Sequence, residues 1–233
     1  MKKILALTAM AASILAVSNS YAQTQPFGQV GVAVGVDLIS GPTLELSYPV
    51  TDYVSLRGSL STGWSFDKTQ EEEGIDYNLQ VDGAINRLAV DVRPFKGSFF
   101  LSAGYGLSSF SLSGSGSVEQ GNQFDLGDTS YTADTPVNIR SDFDWDSAPT
   151  LSFGWGHSPS QGLGFLFEMG AAFTGASNVS LNGTGTVTDG SNTFSLDSTQ
   201  GQEVLAEEEA KLQADVSDLE FLPIVRMAVT YRF

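Results

Sequence analysis

Val229-Thr230-Tyr231-Arg232-Phe233 ends the chain in strict apolar/polar alternation. Successive side chains of a strand point to opposite faces, so this spacing describes a strand with two unlike sides. Followed backwards, Phe233, Tyr231, Val229, Met227 and Val225 share one side, and Arg232, Thr230, Ala228, Arg226 and Ile224 share the other. The first side suits lipid, and the second carries two arginines into an interior. A bacterial outer-membrane barrel commonly closes on such a strand, with its last aromatic at the lipid–water boundary.

The same period-two pattern recurs upstream. Val30, Val32, Val34 and Val36 alternate with Gly31, Ala33, Gly35 and Asp37. Leu44, Leu46, Tyr48 and Val50 alternate with Glu45 and Ser47, and Val54, Leu56 and Leu60 with Ser55, Arg57, Ser59 and Ser61. Leu88, Val90 and Val92 interleave with Arg87, Ala89, Asp91 and Arg93. Phe99, Leu101, Ala103, Tyr105 and Leu107 set one face against Ser102, Gly104, Gly106 and Ser108. Leu151, Phe153 and Trp155 form a sixth strand, and Leu163 through Phe173 a seventh with Glu168 turned inward. Together with the terminal strand this predicts an all-β fold: an eight-stranded antiparallel up-and-down transmembrane β-barrel. Short turns at Thr51-Asp52, Pro94–Gly97 and Ser158–Gly162 alternate with longer acidic links around Glu71–Gly74, Glu119–Pro136 and Gly183–Asp218. That asymmetry orients the barrel with its short turns in the periplasm. The brief Leu38–Pro42 turn is the external exception.

Residues 1–22 read as a secretory signal, with Lys2-Lys3, an apolar run from Ile4 to Val17, and Ser20-Tyr21-Ala22 as the cleavage site. The remaining 23–233 form the barrel domain. Losing Lys2 and Lys3 moves the formal charge from −16 to −18, which argues against nucleic acid and favours cationic solutes or soluble loops. The expected partners are outer-membrane lipid, lipopolysaccharide, small solutes and the barrel-assembly machinery acting on the C-terminal strand. The expected location is the outer membrane of a Gram-negative cell. No cysteine is present, which removes disulfides and thiolate chemistry.

The last long link predicts a short helix near 203–219, with Leu205, Leu212, Val216 and Leu219 on one face among Glu207, Glu208, Glu209 and Asp215. It is either a lid on the barrel mouth or a solvated loop helix. Ser113-Gly114-Ser115-Gly116-Ser117 reads as flexible strand or loop.

Five of the six arginines, Arg57, Arg87, Arg93, Arg226 and Arg232, fall on inward positions, as do Asp37, Glu45, Asp91 and Glu168. Unpaired charge is costly in low dielectric, so these groups should form a network. Height-matching places Glu45 near Arg57, Glu168 near Arg226 and Arg87, and Asp37 near Arg226 at the closing seam. The network is either a salt-bridged plug or a charged constriction that rearranges for a small ion. Asp142, Asp144 and Asp146 alternate on one face and predict an acidic mouth, joined by Glu71, Glu72, Glu73 and Asp76, although ordinary loop solvation needs the same residues. The Asp-x-Asp-x-Asp spacing lacks the glycine and glutamate of a calcium loop. His157 is the lone histidine, beside a turn, and neither H-E-x-x-H nor a P-loop occurs. No enzyme, metal centre or cofactor is expected.

Several marks in order along the chain resemble the CarO-type outer-membrane proteins of Acinetobacter and relatives, described as ornithine-uptake porins. They are Val92-Arg93-Pro94-Phe95, the Phe100–Tyr105 strand, Ala148-Pro149 before a Leu-x-Phe-Gly-aromatic strand, Thr174-Gly175 within Glu168–Leu181, and Phe221-Leu222-Pro223 after the acidic helix. The resemblance implies an eight-stranded barrel without an obvious open channel and a role in uptake of basic amino acids. The first hairpin and the loop lengths depart from that pattern. The functional expectation is a narrow porin-like channel for passive uptake of small cationic solutes; the alternative is a non-conducting structural or surface-interaction barrel.

Overall fold

The computed structural model describes residues 30–72, 75–156, 161–218 and 220–233, with the side chains of 70–77 outside that description. The predicted leader, His157, Glu73 and Leu219 lie outside the described residues, as do the side chains of Glu71, Glu72 and Asp76. Eight strands close into an antiparallel barrel: β1 (Gly31–Asp37), β2 (Gly41–Pro49), β3 (Val54–Ser61), β6 (Ile85–Val92), β7 (Phe99–Ser108), β12 (Ala148–Trp155), β13 (Gly162–Ala172) and β17 (Leu222–Arg232). Each barrel strand pairs with its sequence neighbours in the wall, and β17 seals the cylinder between β13 and β1. Closure pairs every wall strand on both edges, the condition that lets a sheet sit in hydrocarbon.

The two sides of the wall follow the sequence period. Leu46, Leu56, Leu88, Leu101, Leu151, Met169 and Met227 point out and are exposed, while their immediate neighbours Glu45, Ser47, Ser55, Arg57, Arg87, Ser102, Glu168 and Arg226 are buried. At the short-turn end the outer aromatics touch in a chain: Phe95 with Phe99 at 6.2 Å, Phe99 with Trp155 at 5.5 Å, and Phe153 with Trp155 at 5.9 Å between centroids. Tyr231 and Phe233 stack edge-on at 5.0 Å. These rings stand on β7, β12, β17 and the turn before β7, where an outer-membrane barrel carries its interfacial aromatics.

At the other end the external links are not loops. β4 (Phe66–Glu72), β5 (Ile75–Asp82), β8 (Ser111–Val118), β11 (Val137–Asp144) and β14 (Asn178–Thr184) form a five-stranded sheet in the order β14-β11-β8-β5-β4. β9 (Gln123–Leu126), β10 (Thr129–Ala133), β15 (Thr186–Thr188) and β16 (Thr193–Ser195) form a second sheet of four strands. The Ser/Gly run at 113–117, expected to be flexible, lies within β8. Its serines occupy one face, and its glycines let the other face approach its neighbours.

The helix α1 spans Thr199–Asp215, starting earlier than the sequence period implied because Ser198 caps it through a hydrogen bond from the Gly201 amide at 3.2 Å. One face, with Glu203, Glu207, Lys211 and Asp215, is open to solvent, and the other is packed against the outer strands. Leu205 is 2% exposed and joins Val118, Phe124, Tyr131, Val137, Val187 and Leu196 in an apolar core between the outer sheets, with Leu212 packed against it. The chain thus carries a second hydrophobic core outside the cylinder. Glycines make the crossing from wall to outer sheet: a Cβ on Gly83, whose φ is +97°, would stand 1.8 Å from the Ser109 carbonyl oxygen.

Candidate functional site: the barrel interior

Six wall strands, β1, β2, β3, β6, β13 and β17, contribute inward charges to one network. Glu168 on β13 is completely buried and is the hub. Arg57 on β3 grips it with two hydrogen bonds, Nη1 to Oε2 at 2.7 Å and Nη2 to Oε1 at 3.0 Å. Arg87 on β6 reaches Oε1 at 3.1 Å, Arg226 on β17 lies 3.8 Å away, and Ser152 Oγ donates at 2.6 Å. Such charge-assisted, forked bonds are the strong ones. Arg57 also lies 3.6 Å from Glu45, lies 3.0 Å from Asp91, and donates to Ser102 Oγ at 2.9 Å. Arg226 Nη1 is hydrogen-bonded to Glu45.

Height-matching placed most of these neighbours. It missed the forked bond from Arg57 on β3 to Glu168, which crosses the lumen as the expected pair of Glu168 with Arg87 does. Asp37 keeps its expected place at the seam and gains further partners. It stands in register with Arg226, but its carboxylate lies 3.8 Å from Arg87 and accepts the amides of Ile39 and Ser40 at 3.0 and 2.9 Å. It therefore fixes the short external turn as well as the network.

Two apolar layers bracket this level. Toward the outer sheets, Ile85, Ala172, Leu222 and Ile224 pack with Ile39, Phe110 and Trp145. Toward the short turns, Ala33, Phe100, Leu166 and Ala228 pack together. Phe100 is the residue that sequence reasoning missed. Its neighbours Phe99 and Leu101 face lipid, so it must face in by parity, and it is completely buried. The guanidinium of Arg57 lies 5.0 Å from its ring centroid and that of Arg93 lies 5.6 Å away.

Arg93 and Arg232 occupy the end of the lumen nearest the short turns. Arg93 Nη1 donates to the carbonyls of Gly97 at 3.1 Å and Gly156 at 2.9 Å. Its Nη2, the Nη2 of Arg232, and the Nε and Nη2 of Arg226 are buried without a hydrogen-bond acceptor. Among the described residues no carboxylate comes within 4 Å of Arg93 or Arg232. The interior is therefore compensated in its middle and positive at one end.

The three aspartates of the expected mouth do not act alike. Asp142 lies on β11 of the outer sheet, where Arg140 Nε and Nη2 donate to it at 2.9 and 2.8 Å and Ser113 Oγ at 2.6 Å. The Arg140 hydrogen bonds hold its carboxyl below the ordinary aspartate range. Asp144 and Asp146 are exposed, and Asp146 accepts from Asn178 at 3.3 Å. A cleft of about 820 Å³ lies away from them, between the five-stranded sheet, β9 and α1, floored by Gly114, Gly116 and Ile139. Among the described residues, no group of histidine and carboxylate side chains is arranged to hold a metal ion.

No family model matches the chain, and no curated protein does. Solved structures do. CarO of Acinetobacter baumannii superposes with a TM-score of 0.58 at 22% identity, over 90% of this chain and 100% of that one. CarO2 of Acinetobacter baumannii gives 0.54 at 19% identity, over 88% and 97%. With the closed eight-strand wall and the helix before the last strand in place, the chain has the fold of a CarO-type eight-stranded outer-membrane barrel.

Proposed function

We propose that this protein resides in a Gram-negative outer membrane and passes small solutes passively through a narrow, normally closed lumen. Cationic solutes, basic amino acids among them, are favoured. The observation that carries this reading is the chemistry of the interior. Its middle level is built from ions and hydroxyls, with buried Arg226 donors still lacking acceptors, where a purely structural barrel could use packed hydrocarbon. A hydrated solute can exchange with such groups; it cannot exchange with methyls. The likeness to the CarO structures supports the barrel, and the sequence resemblance supports the solute class. Outward, Asp144 and Asp146 supply attraction together with the acidic face of α1, while the Asp142 charge is largely answered by Arg140.

A second reading, a non-conducting barrel that presents its outer sheets to the surroundings, is favoured by one observation: Asp37, Glu45, Arg57, Arg87, Asp91, Glu168 and Arg226 are all at most 8% exposed. Single-channel recording of refolded protein separates the two. The transport reading expects small cation-selective currents that shrink when Asp142, Asp144 and Asp146 are all changed to Asn. Silence at every voltage and with every solute, from protein that shows the unboiled gel shift of a folded barrel, would leave the non-conducting reading.

A further inference from the structure

The lower apolar layer has a position that the charge network alone does not explain. On each of three strands its member stands two residues nearer the short turns than a network residue: Phe100 below Ser102 on β7, Leu166 below Glu168 on β13, and Ala228 below Arg226 on β17. Because side chains alternate, two residues is one inward step, so these three share one level on the β7, β13 and β17 side of the lumen, facing the buried hydroxyls of Ser47 on β2 and Ser55 on β3. Ala33 on β1 joins them from the seam.

Phe100 fills that layer. A Cβ on Gly154, its register partner on β12, would stand 2.6 Å from the ring Cζ, so the ring lies over a wall position with no side chain. The ring is held from above by Arg57 and from below by Arg93. Cations over an aromatic face are attracted to it, more strongly when desolvated. Arg57 belongs to the Glu168 hub, so the ring is tied to the state of the ion pairs. Water and ions are excluded where apolar side chains meet across a lumen this narrow.

We propose that the Phe100 layer is the closure that seals the ion-pair level from the short-turn end of the barrel, and that Phe100, latched through Arg57 to Glu168, is the part that moves. This deepens the transport reading by placing one of its closures, and its test reads access rather than current. The chain has no cysteine, so a single introduced thiol reports without background. Ser59 faces inward at the ion-pair level, in register with Glu45 and Arg87, and is 6% exposed.

Ser59→Cys in refolded protein, with folding checked by gel shift, should react slowly with small methanethiosulfonate reagents. Adding Phe100→Ala should raise the labelling rate roughly tenfold or more, whereas Phe100→Leu, which keeps an apolar filler, should leave it slow. Leu166→Ala belongs to the same layer and gives the same readout should Phe100→Ala lose the gel shift. Unchanged labelling in every folded variant that shortens Phe100 or Leu166 overturns the proposal, and so does fast labelling of Ser59→Cys alone. Fast labelling in Phe100→Ala from a protein that never carries current would uphold the closure and sink the transport reading, so the two failures are distinct.

Discussion

Glu168 shows how much one side chain can organise. It is completely buried, and its two oxygens answer Arg57, Arg87 and Ser152, with Arg226 close by. Removing one partner of a buried ion pair is far worse than never having built the pair, because the remaining charge stays desolvated. Glu168→Gln should therefore cost roughly 3–5 kcal/mol in urea unfolding of the refolded barrel. The double change Glu168→Gln with Arg57→Met should recover part of that loss. A double variant no better than the single one would mean that Arg57 is compensated by Glu45 and Asp91 alone.

Asp142 gives a residue-scale expectation on pH. Its carboxyl is depressed in the folded protein, first by the Arg140 hydrogen bonds. It therefore contributes stability above its unfolded pKa of about 3.9, and that contribution is lost as pH falls through the lower folded value. Protease resistance of the outer sheet should fall as pH drops from about 4 downward in the parent protein. It should be lower but less pH-dependent in Asp142→Asn.

Elements differ in how openly the sequence declares them. The wall strands were legible because lipid on one side and a charged interior on the other constrain every residue. The outer strands were not. β8 alternates Ser with Leu or Gly, and β4 reads Phe-Asp-Lys-Thr-Gln-Glu-Glu, so neither shows an apolar face until β9, β10 and α1 fold over the sheet. Phe100 was hidden for the opposite reason. An aromatic between two lipid-facing residues reads as lipid-facing by type, although parity turns it inward.

The outer core should also be separable from the wall by mutation. Leu205→Ala empties a site that is 2% exposed and should cost about 2–5 kcal/mol, since a cavity term adds to the lost burial. The expected readout is faster proteolysis of the outer sheets with the barrel gel shift retained. Loss of both together would show that the two cores fold as one unit. Gly83→Ala attacks the junction instead. With φ at +97° and no room for a Cβ, it should cost more than about 1 kcal/mol and loosen both.

On the scale of the whole molecule, charge is distributed along the barrel axis. The outer surface is acidic, the middle of the lumen is compensated, and Arg93 and Arg232 leave the short-turn end positive. A lumen opened at Phe100 should therefore admit a negatively charged sulfonate reagent from that end faster than a positively charged ammonium one, since pore-lining arginines favour anions, while the cation preference of the whole path is set at its acidic outer end. Equal rates would mean that the carbonyl contacts of Arg93 are enough to mask its charge. The order should reverse for entry through the outer sheets, where carboxylates outnumber bases.

Pairing of β17 with β1 joins the last wall strand in sequence order to the first. A cylinder lacking that piece would leave two rows of amides and carbonyls turned toward acyl chains, together with Glu45 stripped of its hydrogen-bonded arginine. No partly built intermediate of this kind can rest in a bilayer. A chain truncated before Leu222 should therefore be absent from purified membranes and accumulate only as degraded material, whatever the quality of its other strands.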